Sequence, residues 1–104
     1  MSKYHAKKVT VNGITFDSKR EADRWAELQI LQRAGAISQL KRQVRFDLVP
    51  TQQGERGVSY YADFTYLTKS GDFVVEDAKG YKTPEYIIKR KLMLWIHKIR
   101  IKEV

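Results

Sequence analysis

Apolar and polar positions along the 104 residues fall into several strand-like stretches and two helical ones. In KKVTVNGITF, Val9, Val11, Ile14 and Phe16 flank Asn12-Gly13. Both turn residues tolerate positive φ, so the stretch predicts two short strands and a tight turn. DSKREADRWAELQILQRAGAI then changes period. Asp17 or Ser18 can cap a helix, and Ser18-x-x-Glu21 fits a capping box. Ala22, Trp25, Ala26, Leu28, Ile30 and Leu31 form a broad apolar face, and Gly35 supplies a left-handed stop. The spacing predicts a helix of about four to five turns.

Alternation resumes in ISQLKRQVRFDLVP. Val44, Phe46 and Leu48 point one way, and Gln43, Arg45 and Asp47 the other, until Pro50 ends the run. TQQGERG reads as an exposed loop. VSYYADFTYL and DFVVEDAK are rich in β-branched and aromatic residues, with TKSG as the turn between them. A second helix begins with Thr83 as N-cap and Pro84 at its first position and runs to about Lys98. IRIKEV closes as an alternating strand. The order β-β-α-β-β-β-α-β predicts an α/β domain. Its last strand, helix and strand suggest a right-handed crossover between parallel neighbours.

A chain this long fits one domain, residues 1–104, and no second. Cysteine is absent, which excludes disulfides and zinc–thiolate sites and suits a reducing compartment. MSKYHAKK has no apolar signal region, and no stretch has the length of a membrane span, so a cytoplasmic setting is expected. Twenty Lys and Arg against twelve Asp and Glu leave a net charge of +8. That excess favours a polyanionic partner, usually nucleic acid. The basic residues lie evenly along the chain, so folding must assemble any binding face.

The chemistry concentrates in three places. Val75-Glu76-Asp77-Ala78-Lys79 ends an apolar strand, and strand periodicity puts Asp77 and Lys79 on one face and Glu76 on the other. Asp63 interrupts the aromatic strand YYADFTY, which the hairpin brings beside Asp77. A charge inside an apolar strand is costly unless paired or coordinated. Glu21 projects between Trp25 and Leu28 on the first helix, toward the core, which the capping box alone also explains. Two carboxylates, a backbone carbonyl and a phosphate oxygen suit a hard divalent cation. Such an ion acidifies water and offsets charge on a phosphate, and Lys79 could orient that water. The simpler reading is a salt bridge of Lys79 with Asp63 or Asp77.

Lys91 falls on the same arc as Ile87, Ile88, Leu94 and Trp95, from which it could reach a phosphate or snorkel to solvent. Lys41, Arg42, Arg45, Lys82 and Lys89 are further candidates for phosphate contacts. Tyr60, Tyr61 and Tyr66 could stack on bases or pair across strands. His5 and His97 lack metal-ligand spacing, and no nucleophile triad or phosphate-binding glycine motif is present.

A Glu on the first helix, an Asp on a strand and Asp-x-Lys on the next strand resemble the PD-(D/E)XK nuclease superfamily. VNGITFDSKREA, YYADFTY and VVEDAKGYKT more narrowly resemble a group of small phage proteins known as a domain of unknown function and placed with its Holliday-junction-resolvase-like members. The resemblance covers nearly the whole chain. It implies a restriction-endonuclease-like core, a mixed four- or five-stranded sheet flanked by two helices, with the N-terminal β-hairpin beside it. It implies hydrolysis of DNA phosphodiesters with Mg²⁺ or Mn²⁺, in the cytoplasm of a host cell if phage-encoded. By position, Glu21, Asp63 and Asp77 would be the catalytic and metal-binding carboxylates and Lys79 the catalytic lysine. Ala62 replaces the motif's proline, and the Glu76-to-Lys79 spacing is one residue too long, which selects Asp77. Branched or duplex DNA is the expected partner, and a junction-cutting enzyme is expected to form a homodimer. Because the superfamily includes inactive members, a non-catalytic DNA-binding accessory protein on the same fold is the alternative.

Overall fold

The computed structural model describes residues 7–104. Asn12 and Gly13 both take positive φ (50° and 80°), and the turn joins β1 (Val9–Val11) to β2 (Ile14–Phe16) as an antiparallel pair. A four-stranded sheet follows, in the order β3 (Ile37–Val49), β4 (Val58–Thr68), β5 (Phe73–Asp77), β6 (Lys102–Glu103). β3, β4 and β5 pair antiparallel, and β6 adds in parallel beside β5. The layout is thus α/β with a mixed sheet, two helices and an N-terminal hairpin. His5 lies outside the described residues.

Helix α1 (Lys19–Arg33) starts where Ser18 Oγ accepts the Glu21 N–H at 3.1 Å. The return bond of the predicted capping box is displaced by one residue, because Glu21 Oε1 accepts from the Asp17 N–H at 3.1 Å. The buried face is narrower than the periodicity predicts. Ala22 and Leu28 are buried and Trp25 half-buried, whereas Ala26, Ile30 and Leu31 face outward. The half of the sheet beneath α1 is small: Leu28 meets Ile37, Phe64 and Tyr66, leaving nothing to cover a wider stripe.

Helix α2 (Pro84–Leu92) is capped by Thr83 Oγ1, which accepts from the Tyr86 N–H, and continues as a π-helical turn over Met93–His97. Lys98, at φ 60°, ends it. The inward residues are Tyr86 and Met93, which join Leu48, Tyr60, Ala62, Val75 and Ile101 in a second core. The predicted apolar arc of this helix is therefore corrected: Ile88, Leu94 and Trp95 are exposed, Trp95 to 75%. Tyr86 and Met93 are seven residues apart and share one face of the helix, with Trp95 on the opposite one.

The two cores meet along β3 and β4. Tyr60 and Ala62 pack on the α2 side, whereas Phe64 and Tyr66, of the same parity, pack on the α1 side. β3 changes sides at the matching point. The Arg42 guanidinium lies over the Phe16 and Trp25 rings, while Phe46 and Leu48 join the α2 core. Between them stands Gln43, with φ 51° in mid-strand. A left-handed residue breaks the twofold alternation, so the side chains beyond it exchange faces. Asp63 lies directly opposite, between the pairs Arg42–Phe64 and Val44–Ala62.

Candidate active site

Asp63 and Gln43 occupy the crossover between the cores, and the other polar groups gather around them. Asp63 Oδ2 accepts from the Ala78 N–H at 2.8 Å, just past the end of β5. Asp63 Oδ1 accepts from Gln43 Nε2 at 3.2 Å, and the same amide donates to Glu21 Oε2 at 3.1 Å. Glu21 is 2% exposed, as its inward projection from α1 predicts. Arg42 approaches the same Glu21 oxygen at 3.6 Å.

Asp77 is buried at the end of β5, 1% exposed. Its Oδ2 accepts the Tyr60 hydroxyl at 2.5 Å. Its Oδ1 is buried without a hydrogen-bond partner, and the Lys79 ammonium stands 3.3 Å away. Lys79 also lies 4.9 Å above the Tyr86 ring. Burial and the neighbouring Asp77 charge push the Asp63 carboxyl up to about 7, with Glu21 adding to the shift and the Ala78 N–H and Lys79 opposing it. Burial and Asp77 likewise push the Tyr60 phenol well above its ordinary value, so it remains a donor.

Glu76, next in sequence, has a different setting. Arg24 on α1 grips it with two bonds at 2.8 and 2.7 Å, and the Tyr66 hydroxyl donates to it as well. Burial raises this carboxyl, but the bonds from Arg24 and Tyr66 and the Arg24 charge outweigh that and hold it below its ordinary range. Glu76 is a satisfied ion pair inside the α1 core, and Asp77 is an under-satisfied carboxylate on the α2 side. Strand alternation separates them as predicted.

The four predicted site residues thus form one linked group, from Glu21 through Gln43 to Asp63 and on to Asp77 and Lys79. Glu21 is turned toward Gln43 and Asp17, and no set of three His, Cys, Asp or Glu side chains among the described residues converges as a metal-binding group. Asp63 and Asp77 are oxygen donors suited to a hard cation that retains waters. Asp77 Oδ1, which accepts no hydrogen bond and has only the Lys79 charge beside it, fits such an ion. Sequence reasoning missed Gln43, and read Tyr60 as a base-stacking or cross-strand residue, not as the donor to Asp77. Gln43 reads as one more outward polar residue of an alternating strand, and only its position opposite Asp63 distinguishes it.

The candidate phosphate-binding cations divide. Arg42 is mostly buried against Glu21 and two rings. Arg45 pairs with Asp47 at 2.9 Å, Lys89 with Glu85 at 3.3 Å, and Lys82 reaches Glu103 at 4.0 Å. Lys41 and Lys91 are exposed and pair with no acidic side chain among the described residues. Lys91 lines a cleft with Arg90, Leu94, Arg100, Ile101 and Glu103. Tyr60 and Tyr66 are core residues, and Tyr61 is 54% exposed. His97 Nε2 meets the Asp47 carbonyl oxygen at 2.7 Å, which docks the π turn on β3.

Residues 1–102 match the family described as Protein of unknown function (DUF1064). The chain belongs to this family. No curated protein matches it, and no solved structure does. No helix among the described residues is long and apolar enough to cross a membrane.

Proposed function

We propose that this DUF1064 protein is a divalent-cation-dependent DNA endonuclease, acting on branched DNA such as recombination or replication intermediates. The observation that carries the reading is the buried Asp77 Oδ1, without a hydrogen-bond donor, beside Asp63 and 3.3 Å from Lys79. A structural ion pair at that depth would have its oxygens satisfied, as Glu76 does.

Asp63 and Asp77 would hold Mg²⁺ or Mn²⁺, with Glu21 beside them. Such an ion, when bound, supplies positive charge to the phosphate and acidifies water. Lys79 orients the attacking water from the Asp77 side and offsets charge as it builds on phosphorus. Tyr60 and the Ala78 N–H hold the two carboxylates in place. Water oxygen bonds to phosphorus, the P–O ester bond breaks, and the leaving oxygen takes a proton. The +8 charge and the exposed cations on β3 and α2 suit the DNA backbone. A four-way junction requires two symmetric cuts, so a homodimer is the expected active form.

The test is cleavage of a labelled four-way junction beside linear duplex, with Mg²⁺, Mn²⁺ or EDTA, by wild type and Asp77→Ala. Metal-dependent cutting by wild type alone supports the reading, and junction preference supports its substrate class. Tight, salt-sensitive binding by both proteins with no cutting supports a non-catalytic DNA-binding protein instead.

A further inference from the structure

Gln43 is the polar side chain that links the α1 half of the site to the α2 half. Two separate features of it require explanation. Its backbone is left-handed in mid-strand, and its amide bridges two carboxylates.

The backbone has a structural role. It reverses the facing of β3 between Arg42 and Phe46, so that one strand serves two cores. It does so without a change of register: the pairs on either side, Arg42–Phe64 and Val44–Ala62, are in step. The other left-handed glutamine of this strand, Gln39, behaves differently, because the pairing shifts between Ser38 and Lys41. At φ 51°, glycine would meet the backbone requirement with less strain than glutamine. The conformation therefore does not explain the side chain.

The side chain has its own geometry. An amide nitrogen carries two N–H donors. One is directed at Glu21 Oε2 at 3.1 Å and the other at Asp63 Oδ1 at 3.2 Å. Asp63 Oδ2 is held from the other direction by the Ala78 N–H. Each Asp63 oxygen thus receives one protein donor and retains a lone pair. The plane of that carboxylate is fixed, and Glu21 is held back on the α1 side. Asp77 is fixed in the same way through one oxygen, by Tyr60.

We infer that Gln43 is a positioning residue for a divalent cation: its amide sets the orientation of Asp63 and the separation of Asp63 from Glu21, leaving lone pairs of Asp63 and Asp77 Oδ1 for the ion. Gln43 has this role only if Asp63 and Asp77 hold a cation, as proposed above. Removing a partner that orients a metal ligand commonly weakens metal binding by about 10- to 100-fold.

The test compares wild type, Gln43→Gly, Gln43→Asn and Asp77→Asn by calorimetric Mn²⁺ titration, with thermal melts in EDTA. Gln43→Gly suits the left-handed backbone and is expected to melt cooperatively, close to wild type. Its Mn²⁺ affinity is expected to fall about tenfold or more. Gln43→Asn also tolerates the conformation but is one methylene too short to span both carboxylates, and it is expected to lose affinity likewise. It decides the matter if the glycine variant fails to fold. Wild-type affinity in the folded variants, with Asp77→Asn impaired, would overturn the role of Gln43 alone. No Mn²⁺ binding by wild type would overturn the cation site and the role of Gln43 together.

Discussion

Glu76 and Asp77 are adjacent, both acidic and both buried, yet neutralising them should have unequal consequences for stability. Glu76→Gln keeps the shape and removes the charge. Arg24, whose side chain is only 19% exposed, then keeps its own charge without the carboxylate it grips at 2.8 and 2.7 Å. Breaking a buried pair from one end costs about 3–5 kcal/mol, and the acceptor oxygen that Gln retains places this case near about 3 kcal/mol. For a domain of this size, that lowers the melting temperature by roughly 12–24 °C. Asp77→Asn loses much less. Its Oδ1 has no hydrogen bond to lose, the amide oxygen can still accept from Tyr60, and the neighbouring Asp63 is relieved of a like charge. The attraction to Lys79 is lost, but that side chain is 34% exposed and can turn to water. The net change should be smaller than that of Glu76→Gln. Urea unfolding of the three proteins in EDTA measures both differences, provided the slopes agree. If Asp77→Asn costs as much as Glu76→Gln, Asp77 is a structural ion-pair partner and the reasoning that sets it apart fails.

Two further outcomes follow from the same geometry. Asp63 is pushed up to about 7, so the folded chain holds its proton more tightly than the unfolded chain does. Its protonation stabilises fully below the ordinary carboxylate value, and that contribution is lost as pH rises through about 7. Metal-free protein should therefore lose stability between about pH 4 and pH 7, and Asp63→Asn should remove that part of the slope in melts across pH. Among the basic residues, Lys41→Ala and Lys91→Ala should each lower the slope of log K against log salt by about 1 for DNA binding. Arg45→Ala, whose cation already has an Asp47 partner, should change it less, as fluorescence anisotropy at several salt concentrations would show.

Much of the fold was legible because local chemistry and tertiary environment agree. Asn12-Gly13 takes the positive φ its residues allow, and Ser18 and Thr83 cap the helices they precede. Strand alternation separated Glu76 from Asp77, and the hairpin placed Asp63 nearby. The outward faces of the helices were not legible. Ile30, Ile88 and Trp95 have core chemistry at core spacing, and whether such a stripe is covered depends on how much sheet lies beneath it. The π turn is also invisible in sequence, since MLWIH continues an ordinary helical pattern. Gln43 was missed for a third reason. Period-two reasoning assumes an unbroken strand, and the left-handed residue that breaks it here is not a glycine.

The claim that Asp63 and Asp77 form a cation site is tested most directly by diffraction from crystals grown with Mn²⁺, using data collected at the manganese absorption edge. One anomalous peak bonded by both carboxylates is expected, with Asp77 Oδ1 as a ligand and Gln43 still directed at Asp63. An absent peak, or one bound elsewhere while Lys79 stays paired with Asp77, would contradict it.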